Sequence, residues 1–334
     1  MAADLQIVFR AAAGPRLGFG HLMRCRALGH ALGVPPRVSL RATPGTRTAA
    51  ARLGFPLVAD PWSLLAAHRG PRVLVVDDPS ARHAQAWVRR ARRLGIPVAT
   101  VHDLGLGYVP ADLAIDGSVR PHRAMRQHRG HLGGPSYAVL HPQVARWRGR
   151  RTMVAEPRRV LVALGGGAHV LSLAASLAGA IAARAPHATI RIAAGFAASR
   201  PLPALPAGQW ITVTDGLAEE LARCEVALLA GGLGLYEACA IGVPSVALAL
   251  TPAQGLAIRS LARAGVTVDA GPARDGARDA RRTAALVADL LANGRTRRRL
   301  GAAGRALVDG RGASRVAARI RQLAIDRLGV SLAA

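Results

Sequence analysis

A histidine that follows a glycine-rich loop is the clearest candidate for chemistry in this sequence. Residues 16–25 read RLGFGHLMRC and come after a short apolar run at residues 5–9, which is typical of a β-strand. Gly18 and Gly20 permit close approach of the backbone to a ligand, and the free N–H groups of the helix that follows favour an anion. His21 stands at the start of that helix, where an imidazole can act as a general base. On this feature alone, a surface capping role is the more common one.

A second glycine loop precedes a helix near residue 230. Gly231 and Gly232 lie in the segment AGGLGLYE, so a phosphate can rest against backbone N–H groups there. Glu237 lies early in that helix, where its carboxylate can accept two hydrogen bonds from a ribose diol; an exposed helix charge is the alternative. Gly165 and Gly166 form a third loop after a strand, a weaker signal because glycine turns are common in α/β folds.

Alternating strand and helix patterns must position these loops. Apolar runs at residues 72–76 and 98–101 are each followed by polar residues, at the carboxyl ends where open α/β sheets bind ligands. The plan begins again after a polar, basic break at residues 146–159. We therefore predict two doubly wound α/β domains, residues 1–150 and residues 151–334, the second closed by C-terminal helices.

Composition limits the classes of partner. The chain has 334 residues and a net charge of +26, with 45 basic residues, all of them arginine, against 19 acidic ones. The arginines are spread along the chain, and aromatic residues that could stack on bases make up only 3% of it. We therefore disfavour nucleic acid as the partner, although the charge favours an anionic ligand such as a diphosphate.

Several other site types are absent from the sequence. There is no P-loop, no HExxH motif and no third glycine for a dinucleotide fingerprint. Cys25, Cys224 and Cys239 form no CxxC pair, so we predict buried free thiols, no metal and no cofactor. With no signal peptide and no uninterrupted apolar run of about 18 residues, we expect a cytoplasmic protein without stable membrane insertion.

An ordered set of motifs resembles a known family. The motifs are FRAAAGPRLGFGHLMRCRAL (9–28), VVDD (75–78), HDLGLGYVPADLAID (102–116), GGPSYAVLHPQV (133–144), LVALGGG (161–167), AGGLGLYEACAIGVPSVAL (230–248) and VDGRGASRV (308–316). Together they resemble the UDP-sugar hydrolases of pseudaminic acid biosynthesis and their spore-coat-polysaccharide relatives. The resemblance covers essentially the whole chain. It implies a MurG-like GT-B fold, in which two Rossmann-like domains face a cleft.

The resemblance also implies an activity. These enzymes hydrolyse a UDP-2,4-diacetamido-2,4,6-trideoxyhexose by water attack at the anomeric carbon. The first domain would hold the sugar and the second the UDP, with His21 activating the water and Glu237 holding the ribose. Arg24 would lie near the diphosphate, although a packing or surface role fits it equally. The complete substrate-binding set implied is Gly18, Gly20, Arg24, Gly165, Gly166, Gly231, Gly232, Leu233, Glu237 and Gln254.

Departures from the family pattern keep alternatives open. Polar side chains expected of the family are replaced at Ala12, Gly14, Leu233 and Ala253, and the acid expected after the third glycine loop is replaced by Ala168 and His169. Each replacement removes a hydrogen-bonding group worth about 1 kcal/mol. We therefore predict a hydrolase of this type, with two alternatives. These are a GT-B glycosyltransferase that uses a UDP-sugar in surface polysaccharide synthesis and a non-catalytic sugar-nucleotide-binding relative.

Overall fold

Parallel strands alternate with helices in both halves of the chain. The computed structural model describes residues 5–14, 17–105, 107–127, 129–151, 158–195, 201–213, 216–274 and 276–326. These residues form two units, each built on a six-stranded sheet in which every pair of neighbouring strands is parallel. The predicted α/β class is therefore confirmed.

The first unit holds most of the chain up to Pro142. Its sheet has the order β2-β1-β3-β4-β5-β6. The elements are β1 (Gln6–Ala12), α1 (Gly20–Leu32), β2 (Val38–Arg41), α2 (Pro44–Arg52), α3 (Pro61–Ala67), β3 (Arg72–Asp77), α4 (Ala81–Arg93), β4 (Val98–His102), β5 (Leu113–Asp116) and β6 (His131–Gly133).

The second unit comprises Gln143–Gly310 and the short segment Pro15–Gly20. Its sheet has the order β12-β11-β10-β7-β8-β9. The elements are α5 (Pro142–Arg148), β7 (Arg159–Ala163), α6 (Leu171–Arg184), β8 (Thr189–Ala193), β9 (Gln209–Ile211), α7 (Ala218–Arg223), β10 (Val226–Ala230), α8 (Leu233–Ile241), β11 (Ser245–Ala249), α9 (Pro252–Arg263), β12 (Val268–Pro272), α10 (Gly276–Ala292) and α11 (Gly294–Leu307). Single-turn 3₁₀ helices lie in connections of both units, at Arg123–Gln127, Pro135–Tyr137 and Ala168–Val170.

The last helix differs from the predicted division of the chain. Helix α12 (Gly312–Asp326) was expected to close the second domain, but its contacts assign it to the first unit. Arg315 donates to the Ser136 carbonyl oxygen over 2.9 Å, and Arg321 donates to the Leu32 carbonyl oxygen over 2.7 Å. The polarity pattern of α12 predicts a helix but contains nothing that specifies which sheet it covers.

The central strands are apolar because helices cover both faces of each sheet. All five residues of β10 and all five of β11 are buried, as are the last five of β3. Such strands lose the alternation of apolar and polar residues that a half-exposed strand shows. No helix in the described ranges is long and apolar enough to cross a membrane.

Strand order fixes where each sheet can bind a ligand. In the first sheet β2 lies on one side of β1 and β3 on the other, so the strand order reverses between β1 and β3. In the second sheet the corresponding point lies between β7 and β10. Connections leaving the two strands at such a point diverge to opposite faces, which opens a crevice at their carboxyl ends. A ligand is therefore expected at the loops that follow β1, β3, β7 and β10.

Candidate functional site

Helix α1 places His21 and Arg24 on one buried face. The helix begins at Gly20, and residues three positions apart in a helix are neighbours on its surface. Only 8% of His21 and 6% of Arg24 are exposed, which is unusual for side chains of their polarity. Leu22 and Cys25 bury the adjacent positions against the sheet. Both polar side chains therefore need partners within the protein.

The principal partner is Asp77, the last residue of β3. Its Oδ1 lies 2.7 Å from His21 Nδ1, and its two oxygens accept hydrogen bonds from Arg24 Nη2 and Nε, each over 2.7 Å. The carboxylate side chain is only 2% exposed. Asp77 thus receives both side chains of α1 in a dry environment, where charge-assisted hydrogen bonds are strongest.

Asp103 extends this network toward solvent. It follows β4, the strand next to β3. Arg24 Nη1 donates to its Oδ2 over 2.6 Å, and the Asp103 side chain is 42% exposed. Arg24 therefore bridges a buried carboxylate and a half-exposed one. We refer to His21, Arg24, Asp77 and Asp103 together as the histidine network.

The contacts of Asp77 select one tautomer of His21. Arg24 Nη2 lies 2.7 Å from both Asp77 Oδ1 and His21 Nδ1. A carboxylate and a guanidinium cannot exchange roles, because the first only accepts and the second only donates. We assign the proton to Nδ1, because an unprotonated Nδ1 would place its lone pair 2.7 Å from the anionic Asp77 Oδ1. Arg24 Nη2 then lies beside Nδ1 as a second donor to the same oxygen. The neutral ring then carries its lone pair on Nε2, the nitrogen that can take up a proton.

The charges of the network suit a base. Burial acts to raise the pKa of Asp77, but the charge of Arg24 and the contacts of His21 outweigh it and hold that pKa well below its usual range. Asp77 is therefore ionised throughout the neutral pH range. With Arg24 at +1 and the two carboxylates at −1 each, the network sums to −1 when His21 is neutral. A proton accepted by His21 would bring this sum to zero.

The second unit holds a buried carboxyl group whose pKa is raised rather than lowered. Glu237 is the fifth residue of α8, is 7% exposed, and is not the exposed helix charge that was the alternative prediction. Burial raises the pKa of Glu237 to about 7, with no neighbouring charge or hydrogen bond contributing to the shift. A carboxyl group in this state is ready to accept hydrogen bonds from a bound ligand.

The loop before α8 is closely packed on one side and open on the other. A Cβ atom built on Gly231 would lie 2.8 Å from Gln254 Cβ, so a glycine is required there. A Cβ on Gly232, the N-cap of α8, meets nothing within 4 Å. Gln254 Oε1 accepts from the Leu250 N–H over 2.9 Å, which fixes the orientation of its amide group. The open side of the loop therefore lies at the N-terminus of α8.

Two glycines of α11 hold α8 in place. A Cβ on Gly304 would lie 3.0 Å from Cys239 Cα, and one on Gly301 would lie 2.6 Å from the Gly242 carbonyl oxygen. The two helices thus approach at backbone distance. Gly242 ends α8 in the left-handed conformation with φ 86°, as is common at helix C-termini. This packing makes α8 a rigid support for Glu237.

The remaining predicted residues occupy the expected loops. Gly165, with φ 116°, and Gly166 follow β7, which pairs with β10, so both glycine loops leave the same edge of the second sheet. Gly18 has φ 69° in the loop before α1, and Gly20 is the first residue of that helix. Leu233 is the first residue of α8 and is half-buried. Their roles in binding stay predictions.

Some positions that depart from the family pattern are buried, and others are exposed or have open space around them. Ala12 is fully buried at the end of β1, whereas a Cβ on Gly14 would meet nothing within 4 Å. Ala253 is half-buried in the first turn of α9. His169 is exposed in a 3₁₀ turn after the third glycine loop.

Two site residues were not included in the sequence prediction. Asp77 and Asp103 were noted at strand ends, but their contacts with His21 and Arg24 join residues 56 and 79 positions apart. Arg24 was expected either near a diphosphate or in a packing or surface role; its guanidinium has two carboxylate partners, and a contact with a diphosphate stays a prediction. The pattern of polar residues after adjacent strands was the signal that could have identified both aspartates.

No cluster of three or more His, Cys, Asp or Glu side chains suited to a metal ion is present among the described residues. The described set includes Cys25, Cys224 and Cys239, which are buried free thiols as predicted.

Comparison with known proteins gives one relative in sequence and several in structure. No protein-family model matches the chain. The chain is 28% identical over 213 residues to the spore coat polysaccharide biosynthesis protein SpsG of Bacillus subtilis (strain 168), and the match covers 57% of this chain. The chain spans 58% of the length of that relative.

The solved structures match over nearly the whole chain. MurG of Acinetobacter baumannii has a TM-score of 0.59 at 16% identity, covering 95% of this chain and 99% of MurG. The spinosyn rhamnosyltransferase SpnG complexed with thymidine diphosphate has a TM-score of 0.63 at 20% identity, with the same two coverages. The protein therefore has the GT-B fold of these structures and is similar in sequence to SpsG.

Proposed function

We propose that this protein is a GT-B glycosyltransferase that uses a UDP-sugar, with His21 as the base that activates the acceptor hydroxyl. The observation that carries the proposal is the contact of His21 Nδ1 with the buried, ionised Asp77. A carboxylate that holds one ring nitrogen protonated leaves the other nitrogen able to accept a proton, which is the arrangement a general base requires.

The reaction follows from this arrangement. The acceptor oxygen attacks the anomeric carbon of the sugar while its proton passes to His21 Nε2. The bond between the anomeric carbon and the diphosphate oxygen breaks, and UDP leaves with the electron pair. Asp77 stabilises the imidazolium that forms, because the two charges are hydrogen-bonded in a buried site.

Arg24 acts as a positioning residue in this scheme. Its guanidinium fixes both oxygens of Asp77 and one oxygen of Asp103, so the carboxylate that orients His21 is itself held in one geometry. A planar, always charged side chain is suited to such bidentate contacts.

The second unit supplies the nucleotide site. The loop at Gly231 and Gly232 opens onto the N-terminus of α8, whose free N–H groups and dipole favour a diphosphate. Glu237 lies one turn further along the same helix and accepts two hydrogen bonds from the ribose diol. Burial alone raises the pKa of Glu237, so no hydrogen bond from the described part of the protein satisfies its carboxylate, and hydroxyl groups of a ligand could do so.

Hydrolysis of a UDP-2,4-diacetamido-2,4,6-trideoxyhexose is the second candidate. It is favoured by the ordered motifs around His21 and Glu237, and it needs the same base with water as the nucleophile. Transfer is preferred because several of the full-length structural matches, including SpnG, are named as glycosyltransferases, and SpsG is named for polysaccharide biosynthesis. Another full-length match is named as a putative UDP-N-acetylglucosamine 2-epimerase, so the fold by itself does not distinguish transfer from other sugar-nucleotide chemistry.

Product analysis separates the two candidates. Purified protein is incubated with UDP-2,4-diacetamido-2,4,6-trideoxy-altropyranose, UDP-N-acetylglucosamine or the TDP equivalents, with and without a mixture of polysaccharide precursors. Transfer predicts that nucleotide release depends on acceptor and that the sugar appears in a larger product. Release of free sugar at the same rate without acceptor would establish hydrolysis. Binding of UDP without any turnover would contradict both.

A further inference from the structure

Three rings gather beside the histidine network, at the carboxyl edge of the first sheet. His102 ends β4, Tyr108 lies in the connection from β4 to β5, and His122 lies in the connection after β5. The Tyr108 ring centroid is 6.0 Å from that of His102 and 6.1 Å from that of His122. The Tyr108 and His122 planes are within 14° of parallel. The reaction scheme proposed above uses none of these rings.

The rings are half-buried, unlike the apolar side chains of the core. The chain has only three tyrosines in 334 residues, and one of them, Tyr108, contacts two histidine rings at this edge of the sheet. His102, the first ring of the cluster, directly precedes Asp103, whose side chain is 42% exposed and pairs with Arg24. The cluster and the exposed end of the histidine network therefore meet at the carboxyl end of β4.

The backbone holds these rings in fixed positions. Leu104, with φ 59°, is the one non-glycine residue with positive φ in the described ranges, and Gly105 follows with φ 66°. A Cβ on Gly105 would collide with the Arg120 carbonyl oxygen, so the two connections that carry Tyr108 and His122 touch at backbone distance. The His122 N–H donates to the buried Asp116 Oδ2 over 3.2 Å. Such strained, closely packed loops are found at ligand sites more often than elsewhere.

His122 contributes a donor as well as a ring. Its Nδ1 accepts from the Ala124 N–H over 3.3 Å, so the proton of the neutral ring lies on Nε2. Sites for small ligands combine apolar and aromatic surface with a few directed polar groups. A hexose fits this combination, because one face of its ring carries C–H groups and its edge carries hydroxyl or amide groups.

We propose that Tyr108 and His122 form a platform that binds the hexose ring of the sugar nucleotide, with His122 Nε2 and Asp103 contacting its polar substituents. The proposal rests on the function proposed above and specifies its sugar subsite. It assigns sugar affinity to these rings and nucleotide affinity to the second unit. Substitutions in the platform should therefore change binding of a UDP-sugar and leave binding of UDP unchanged.

The test is a pair of titrations on the His21→Ala variant, which is expected to leave the sugar nucleotide intact during the measurement. UDP and UDP-2,4-diacetamido-2,4,6-trideoxy-altropyranose are each titrated by calorimetry against this variant and against the same variant carrying Tyr108→Ala, Tyr108→Phe or His122→Ala. Tyr137→Ala, at a half-buried tyrosine after β6, is the matched control.

We expect Tyr108→Ala to weaken UDP-sugar binding about tenfold and His122→Ala to weaken it less. Tyr108→Phe and the Tyr137 control should stay within about twofold of the parent, because the ring face carries the contact. UDP affinity should be the same in all variants. Equal loss of UDP and UDP-sugar would overturn the proposal, since the rings would then hold the nucleotide. Unchanged UDP-sugar binding in both alanine variants would overturn it too. If neither ligand binds the parent, the proposed function itself is wrong.

Discussion

The histidine network of the first unit and the Glu237 site of the second unit handle buried charge in opposite ways. In the first, Arg24 and two carboxylates are joined by hydrogen bonds of 2.6–2.7 Å, and the pKa of Asp77 stays low despite burial. In the second, a single carboxyl group is buried without a partner that shifts its pKa downward, so its pKa rises to about 7. The side chains of the histidine network are hydrogen-bonded to one another without a ligand. The Glu237 carboxyl group, in contrast, has no hydrogen-bond donor among the described residues that lowers its pKa.

This difference is informative because the two regions have different tasks in the proposed reaction. A base must be held in one tautomer and orientation at the moment of proton transfer, so its partners belong to the protein. A buried carboxyl group that has no hydrogen-bond donor in the free protein is destabilising. Hydrogen bonds from a ligand remove this cost, so they contribute more to affinity than bonds to a group that is already paired. The following experiments test this contrast, from the largest expected effect to the smallest.

Asp77→Asn should have the largest effect on rate. An amide can present a donor to His21 Nδ1 and so stabilise the wrong tautomer, and we expect kcat to fall by about 10³-fold. It also removes the charge that balances buried Arg24, which should cost about 3 kcal/mol of unfolding free energy. Steady-state kinetics and urea denaturation measure the two effects.

Asp103→Asn is the matched control for that substitution. Its carboxylate contacts the same guanidinium but is 42% exposed, where an ion pair contributes about 1 kcal/mol or less. We expect a loss of activity of less than about tenfold. Both variants are compared by kcat at saturating sugar nucleotide, so that the proposed contact of Asp103 with the sugar does not enter. Equal losses of kcat would show that Asp77 has no special relation to His21.

The fold was more accessible from sequence than the histidine network. The sequence pattern predicts a helix over residues 171–184 and a strand over residues 189–193, and α6 (Leu171–Arg184) and β8 (Thr189–Ala193) have these bounds. The short edge strand β2 and the helix α9 were not predicted. A four-residue run is a weak signal, whereas Thr251 and Pro252 form a helix-start signal that the prediction overlooked. Contacts of His21 with Asp77 depend on strand order, which no local pattern contains.

Glu237→Gln should separate binding from stability. The amide loses an acceptor for the ribose diol, so UDP affinity should fall about tenfold or more at pH 8. The folded-state pKa of about 7 exceeds the ordinary 4.5, so ionisation of Glu237 costs folding free energy increasingly from pH 4.5 to 7. The glutamine variant escapes a cost of about 3 kcal/mol above pH 7 and should be more stable there. Calorimetric titration and urea denaturation at pH 5 and pH 8 test both signs.

The same pKa predicts how UDP binding depends on pH. Binding favours the ionised carboxylate, so affinity of the natural protein should rise through pH 7 and level off above about pH 8. Glu237→Gln serves as the control, because its profile should reflect only the titration of UDP itself. Identical profiles for the two proteins would show that Glu237 does not contact the nucleotide.

Gly231→Ala and Gly232→Ala should have the smallest effects of these substitutions, and they should differ from each other in stability. The Gly231 Cβ would lie 2.8 Å from Gln254 Cβ and 2.9 Å from Ile258 Cδ1, so Gly231→Ala should cost about 1–3 kcal/mol of stability. Gly232→Ala meets open space and should leave stability within about 0.5 kcal/mol, while weakening UDP binding if phosphate lies there. Thermal unfolding with and without UDP compares the two.

The most direct test measures UDP release and UDP binding in the natural protein and in His21→Ala. His83→Ala, at an exposed histidine of α4, is the control. We predict that His21→Ala loses about 10³-fold in UDP release from a UDP-sugar that the natural protein consumes, with UDP affinity unchanged. An unimpaired rate of release in the folded His21→Ala variant would contradict the assignment of His21 as the base.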